Sequence, residues 1–413
     1  MHTLAQLQAG DLTGTSRLAL AANLSQFPME ILSLADTLEV LDLSDNNLSS
    51  LPCELAQLTK LKIIFASNNQ FTALPEVLGR CPNLEMIGFK ANQIKTVSGA
   101  ALPAKLRWLI LTDNLLETLP DALGERPRLQ KLALAGNRLT ALPLTLAQAH
   151  NLELVRISAN NLAQCPEQLL SLPKLAWFAF AGNPFSRSAQ NVTQVPCIAP
   201  DTYSLGEVLG QGASGVIYRG TWHQPSLSFS ENIAVKVFKG EMTSDGFPQD
   251  ELEACLQVGI HPSLVKPIAQ VNTPEQLALI MELIPCNFTN LGLPPSLDTC
   301  TRDTFADGFS LSIQHIHKIV MQMQDVFEHM HDKKVCHGDL YAHNTLFDKG
   351  ANIIFGDFGA ASQYHMLTEP QQAKIKMIER RAFNYFIDDL LGICQPQYHE
   401  HSMFKQLSMM SQG

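Results

Sequence analysis

The frame L-x-x-L-x-L-x-x-N-x-L, which first occurs as LEVLDLSDNNL from Leu38, returns six more times in the 413 residues. Further copies begin at Leu61, Leu84, Leu106, Leu129, Leu152 and Leu175, at steps of 23, 23, 22, 23, 23 and 23 residues. Positions 1, 4 and 6 of each copy are apolar. A unit this short cannot bury them alone, so the copies must stack as a solenoid in which each contributes a short strand. Asn46, Asn69, Asn92, Asn114, Asn137, Asn160 and Asn183 recur where the chain turns off the strand. Their amides are expected to satisfy backbone groups stranded by the turn. Leu51-Pro52, Leu74-Pro75, Leu119-Pro120 and Leu142-Pro143 mark the following bend. The stretch from Thr15 to Pro28 reads as a degraded copy serving as a cap, and Gly182-Asn183-Pro184-Phe185 ends the array.

The pattern resembles the leucine-rich repeat family and implies an α/β solenoid over residues 1–185. Side chains alternate along a strand, so positions 3, 5 and 7 of each copy should face the concave surface. That face carries Ile63, Phe65, Met86, Trp108, Ile110, Leu154 and Trp177. It is unusually apolar for a solvated surface, and a protein substrate or regulator is expected to dock there.

Charge separates the two halves. Residues 1–200 carry 15 basic and 15 acidic side chains, and residues 201–413 carry 14 and 24. The acidic second half argues against nucleic acid as a partner, because phosphates would be repelled. Nine cysteines in no regular spacing suit reduced thiols and a cytoplasmic location. No apolar run is long enough to span a bilayer. The His-x-His pairs at 315/317, 329/331 and 399/401 read as helix or surface histidines rather than metal ligands, since i and i+2 on a helix point apart.

Residues 186–200, SRSAQNVTQVPCIAP, lose the repeat and read as a linker. Beyond them LGEVLGQGASGVIYRG suggests strand, glycine turn and strand, with Gly210, Gly212 and Gly215 as G-x-G-x-x-G. A dinucleotide fold would place a helix after the third glycine, whereas VIYRG continues as strand. In order come Lys236 in IAVKVF, a helix with Glu251 and Glu253, the strand LALIMELIP, HGDLYAHN at 337–344 and Asp357-Phe358-Gly359.

This order resembles the protein kinase family and implies a two-lobed α+β kinase fold over residues 201–413. The resemblance implies ATP and Mg²⁺ as cofactors. Lys236 would grip the nucleotide phosphates and pair with Glu251, chosen over Glu253 because the residue four further on is Cys255 rather than polar Gln257. Asp339 would be the catalytic base, with Asn344 and Asp357 as metal ligands. Leu209, Gly210, Gly212, Gly215, Ile217, Ala234, Met281 and Leu346 would line the nucleotide site, with Glu282 and Leu283 supplying backbone hydrogen bonds to the base.

Three departures stand out. Gly338 replaces the arginine usual before the catalytic aspartate, so switching by phosphorylation of the following segment is not expected. No A-P-E motif follows Asp357. Glu379 takes the place of the aspartate that normally starts the central helix of the lobe, and the 34 residues after it leave room for two short helices at most. The resulting expectation is a protein kinase, serine/threonine by preference, with the repeats recruiting its target. A scaffold that binds ATP without transfer and a small-molecule kinase are the alternatives.

Overall fold

The computed structural model describes residues 2–187, 195–212, 214–224, 231–240 and 242–412. Part of the expected linker, residues 188–194, and Ala213 of the glycine turn lie outside the described residues. The chain divides into two compact units, one of residues Met1–Leu175 with Asn183–Phe185 and one of Ala176–Gly182 with Ser186–Gly413.

In the first unit a short helix, α1 (Leu4–Gln8), starts with a capping box between Thr3 and Gln6. Seven three-residue strands follow: β1 (Arg17–Ala19), β2 (Val40–Asp42), β3 (Ile63–Phe65), β4 (Met86–Gly88), β5 (Trp108–Ile110), β6 (Lys131–Ala133) and β7 (Leu154–Arg156). They form a parallel ladder in register, so Leu41, Ile64, Ile87, Leu109, Leu132 and Val155 stand in one row. Every member of that row is fully buried. β1 pairs with β2 in the same manner, so the degraded copy adds a strand to the ladder.

The asparagines bridge adjacent copies. Asn160 accepts from the Leu139 amide at 3.0 Å and donates to the carbonyls of Leu134 and Ile157, both at 3.0 Å. Asn69, Asn137 and Asn183 make the equivalent bonds. Short 3₁₀ turns return the chain along the other side, and the last return is a four-residue helix, α2 (Glu167–Leu170).

The concave face is less open than alternation alone suggests. Ile63, Met86, Trp108 and Leu154 are buried, and only Phe65 and Ile110 are half-buried. Neighbouring copies supply part of the cover. The Phe65 ring lies where a Cβ on Gly88 would come within 2.6 Å, and the Lys131 ammonium sits 4.9 Å from the centre of the Trp108 ring.

The second unit begins with the strand β8 (Trp177–Ala179). A five-stranded antiparallel sheet follows, built from β9 (Tyr203–Gln211), β10 (Gly215–Trp222), β11 (Ile233–Phe238), β12 (Pro267–Asn272) and β13 (Leu277–Glu282) in the order β12-β13-β11-β10-β9. One face packs Tyr203, Ile233, Val235, Ala269, Val271, Ala278 and Ile280 into a core. A helix, α3 (Pro248–Val258), starts with proline at its first turn and connects β11 to β12.

Beyond the sheet, β14 (Thr289–Asn290) leads to α4 (Ile313–Asp332), capped by the Ser312 hydroxyl. Ile313, Ile316, Val320, Met323, Phe327 and Met330 form its buried stripe. Short strands follow: β15 (Val335–Cys336), β16 (Thr345–Phe347), β17 (Ile353–Phe355) and β18 (Ser362–Gln363). β14, β16 and β17 form one small sheet, and β15 pairs with β18 in another. Two helices, α5 (Glu369–Gly392) and α6 (Ser402–Gln412), complete the unit.

Glu379 does not start a helix. α5 begins ten residues earlier, behind a capping box of Thr368 and Gln371, and Glu379 lies in its middle. The reason is local, since Thr-x-x-Gln with a proline in the first turn is a stronger start signal than a buried glutamate.

Candidate functional site

Lys236 occupies the middle of the antiparallel sheet, between Ile217 on β10 and Leu279 on β13. From there its ammonium forms an ion pair with Glu251 on α3 and lies 3.9 Å from Asp357 Oδ1. Burial would push the ammonium towards its neutral form, but the two carboxylates outweigh it and raise the lysine above its ordinary value. Glu253 points elsewhere and accepts from Gln249 at 2.9 Å. Cys255, one turn after Glu251, is buried against the core.

These groups line a cavity of about 250 Å³ together with Gly212, Ser214, Gly215, Ile217, Phe238, Val265, Leu279, Met281 and Phe358. Of the glycines in the hairpin, Gly215 is required by packing, because a Cβ there would meet the Val237 carbonyl at 2.4 Å. Gly210 and Gly212 face open space. Their bare backbone therefore leaves room for an anionic group beside the hairpin, although the Gly212 amide itself donates to the Gly215 carbonyl at 3.0 Å.

Ala234 pairs with Met281 across β11 and β13, and both are buried. Leu209 is 42% exposed, and Leu346 pairs with Asn290 and Ile354. The expected contribution of Glu282 and Leu283 needs correction. Both amides are already spent, on the Lys266 and Asn232 carbonyls at 3.0 Å each, so neither can donate to a base. Their carbonyls remain as acceptors, and the next amide along is that of Ile284.

The 337–344 loop is held by its backbone. Glu379 accepts from the amides of His337 and Gly338, the latter at 3.1 Å. Burial pushes the pKa of this carboxyl up to about 8, although both amide bonds oppose the change. The His337 imidazole donates through Nε2 to the Gly356 carbonyl at 3.0 Å, and the Gly356 amide donates to Asn344 O at 3.3 Å. Asp357 is thus tied to the loop through its neighbour. Its own backbone is left-handed, with φ of 60°, an uncommon conformation for aspartate that recurs where function constrains the chain.

Asn344 donates from Nδ2 to Asp339 Oδ2 at 2.9 Å and to the Asp339 carbonyl at 3.0 Å. Its amide nitrogen is committed, so its side-chain oxygen is the atom left for a cation. That oxygen and the half-exposed Asp357 carboxylate are hard donors of the kind Mg²⁺ takes, so the residues fit this metal.

Family profiles agree with this geometry. That for the protein kinase domain matches residues 203–378, and that for leucine-rich repeats (2 copies) matches residues 36–77. The chain joins leucine-rich repeats to a protein kinase domain.

The kinase half is similar to Mitogen-activated protein kinase kinase kinase 1a of Physcomitrium patens, with 27% identity over 164 residues, or 40% of this chain. The match spans only 20% of that relative's length. A leucine-rich repeat protein of Leptospira interrogans superposes with a TM-score of 0.40 at 26% identity, covering 43% of this chain and 46% of that one.

One residue of this kinase domain was assigned elsewhere by the repeat frame. Trp177 does not lie on an open docking face. It is 1% exposed, donates from Nε1 to the Leu340 carbonyl at 3.0 Å and stacks on both Tyr341 and Tyr385. Nothing in the 23-residue period distinguishes Trp177 from Trp108. The only hint in the sequence is that its copy is the last, with no following strand to stack on.

Proposed function

We propose that the chain is an ATP- and Mg²⁺-dependent protein kinase acting on a serine or threonine hydroxyl of a target brought to it by the repeats. The observation that carries the reading is the meeting of Lys236 with both Glu251 and Asp357 beneath a glycine hairpin whose open side admits phosphates. In this scheme Asn344 and Asp357 would hold Mg²⁺, which would supply charge to offset that of the phosphates. Lys236, kept protonated by its two carboxylates, orients the nucleotide. Asp339 accepts the proton of the acceptor hydroxyl, and the bond from Asn344 fixes its carboxylate for that step. Leu209, Ile217, Ala234, Met281 and Leu346 enclose the base.

The printed name of the moss relative supports a protein acceptor. Recruitment is assigned to the concave face around Phe65 and Ile110, where docking raises the local concentration of a target and offsets a shallow peptide site. Nine free cysteines fit a reducing, cytoplasmic compartment. Among the described residues no helix is long and apolar enough to cross a membrane.

The test is incubation of the full chain with labelled ATP, Mg²⁺ and generic protein acceptors, followed by mapping of the modified residue. Asp339→Ala should lower transfer by about 100- to 10,000-fold. Label that survives the substitution would remove Asp339 from the chemistry, and label found only on small metabolites would replace the protein acceptor.

A further inference from the structure

Segment Ala176–Gly182 carries the repeat frame and also makes contacts with the loop 337–344 of its own unit. Trp177 stacks on Tyr341 of the catalytic loop with centroids 5.2 Å apart and planes within 2°. It also stacks on Tyr385 of α5 at 5.4 Å and 9°. Two further groups join this column: the Arg302 guanidinium lies 4.8 Å over Tyr385, and His343 stacks on Tyr341 at 5.1 Å. Arg302 is anchored by Asp388 and Asp389. Asp303 closes the far side, accepting from the Ala342 amide at 2.9 Å.

The same segment also holds the stretch after Asp357. Ser362 Oγ accepts from the amides of Phe180 and Ala181 at 2.9 and 3.0 Å, while Ser362 itself is paired with Cys336 in the β15–β18 ribbon. Gly338 shows how close the approach is. A Cβ there would lie 2.8 Å from the carbonyl oxygens of both Phe178 and Ala360, and its φ of +70° already disfavours any other residue. The room a side chain at 338 would need is filled by backbone from this segment.

We infer that Ala176–Gly182 is an internal clamp of the kinase domain and that Trp177 is a positioning residue for the catalytic loop. The clamp fixes Leu340, Tyr341 and Ser362 by packing and hydrogen bonds, without any phosphate on the segment after Asp357. Its effect on catalysis rests on the kinase reading above. Its effect on order does not.

Two measurements on the full chain therefore go together: amide hydrogen exchange, and transfer from labelled ATP to a generic acceptor. Trp177→Ala should speed exchange across 337–344 and 358–364 by about tenfold or more, as expected when two ring contacts and a hydrogen bond are lost, while strand β11 keeps its protection. It should lower kcat about tenfold and leave KM for ATP within about twofold, because the nucleotide cavity is lined by other residues. Trp177→Phe keeps the stacking and should recover most of both effects. Ser362→Ala removes the acceptor for Phe180 and Ala181, together with the hydroxyl's donation to the Ala360 carbonyl, and should loosen 358–364 alone. Should Trp177→Ala not fold, the phenylalanine and Ser362 variants decide the matter by the same readouts. Unchanged exchange in all foldable variants would overturn the clamp. Absence of transfer by the unmodified chain would overturn the kinase reading and leave the exchange result to judge the clamp.

Discussion

Gly338 and Glu379 illustrate how much single residues here are set by backbone. Gly338→Ala should fold poorly or not at all. The left-handed backbone alone costs about 1 to 2 kcal/mol, and the two carbonyls add a clash, so its urea midpoint should fall clearly below that of the unmodified chain. Glu379 gives a pH dependence of definite sign. Its carboxyl is raised from 4.5 to about 8, so the folded state holds a proton that the unfolded state releases. The stability from this group is complete below pH 4.5 and is lost as pH rises towards 8. Glu379→Gln keeps an oxygen for the His337 and Gly338 amides and has no proton to lose. Melting temperatures should therefore fall less steeply between pH 5 and pH 9 in the variant, and parallel curves would remove Glu379 as the cause. Sequence alone could place Glu379 opposite the loop only by resemblance, since its raised pKa depends on complete burial in the fold.

At the scale of elements, the repeat strands derive their stability from neighbours. Each is three residues long, so the asparagine bridges and the buried leucine row are what hold them. Asn160→Ala would leave the Leu139 amide unpaired in a dry position, while the Leu134 and Ile157 carbonyls keep the donors they have from Asn137 and Asn183, at a cost of about 1 to 3 kcal/mol. A drop of that size in chemical denaturation of the full chain is the expected outcome. The helix α3 has a different role, which is to bring one acid to Lys236. Glu251→Gln removes the charge that balances the lysine, and transfer should fall while Glu253→Gln, on the outer face, changes little. Here the spacing in the sequence left two glutamates open. The buried Cys255 side of the helix turns Glu251 inward, and that is a property of amphipathic packing.

For the whole molecule, the boundary between repeats and kinase domain is not where the periodicity ends. A chain cut to residues 201–413 would lack the middle of the Arg302–Tyr385–Trp177–Tyr341–His343 column, exposing two tyrosine faces. It is expected to melt at lower temperature than the full chain, or to aggregate, and equal melting of the kinase transition would argue against this. The repeat array, the strand-rich nucleotide half and the order Lys236, Asp339, Asn344, Asp357 were all legible in the sequence. Periodicity and motif order survive in one dimension because each is enforced by neighbours a fixed number of residues away. That the Glu282 and Leu283 amides are already bonded, how little of the concave face is open, and that Trp177 packs against the 337–344 loop were settled only by the fold. Those properties depend on contacts between residues as far apart in the chain as Trp177 and Tyr385, and no local pattern records who fills the space beside a side chain.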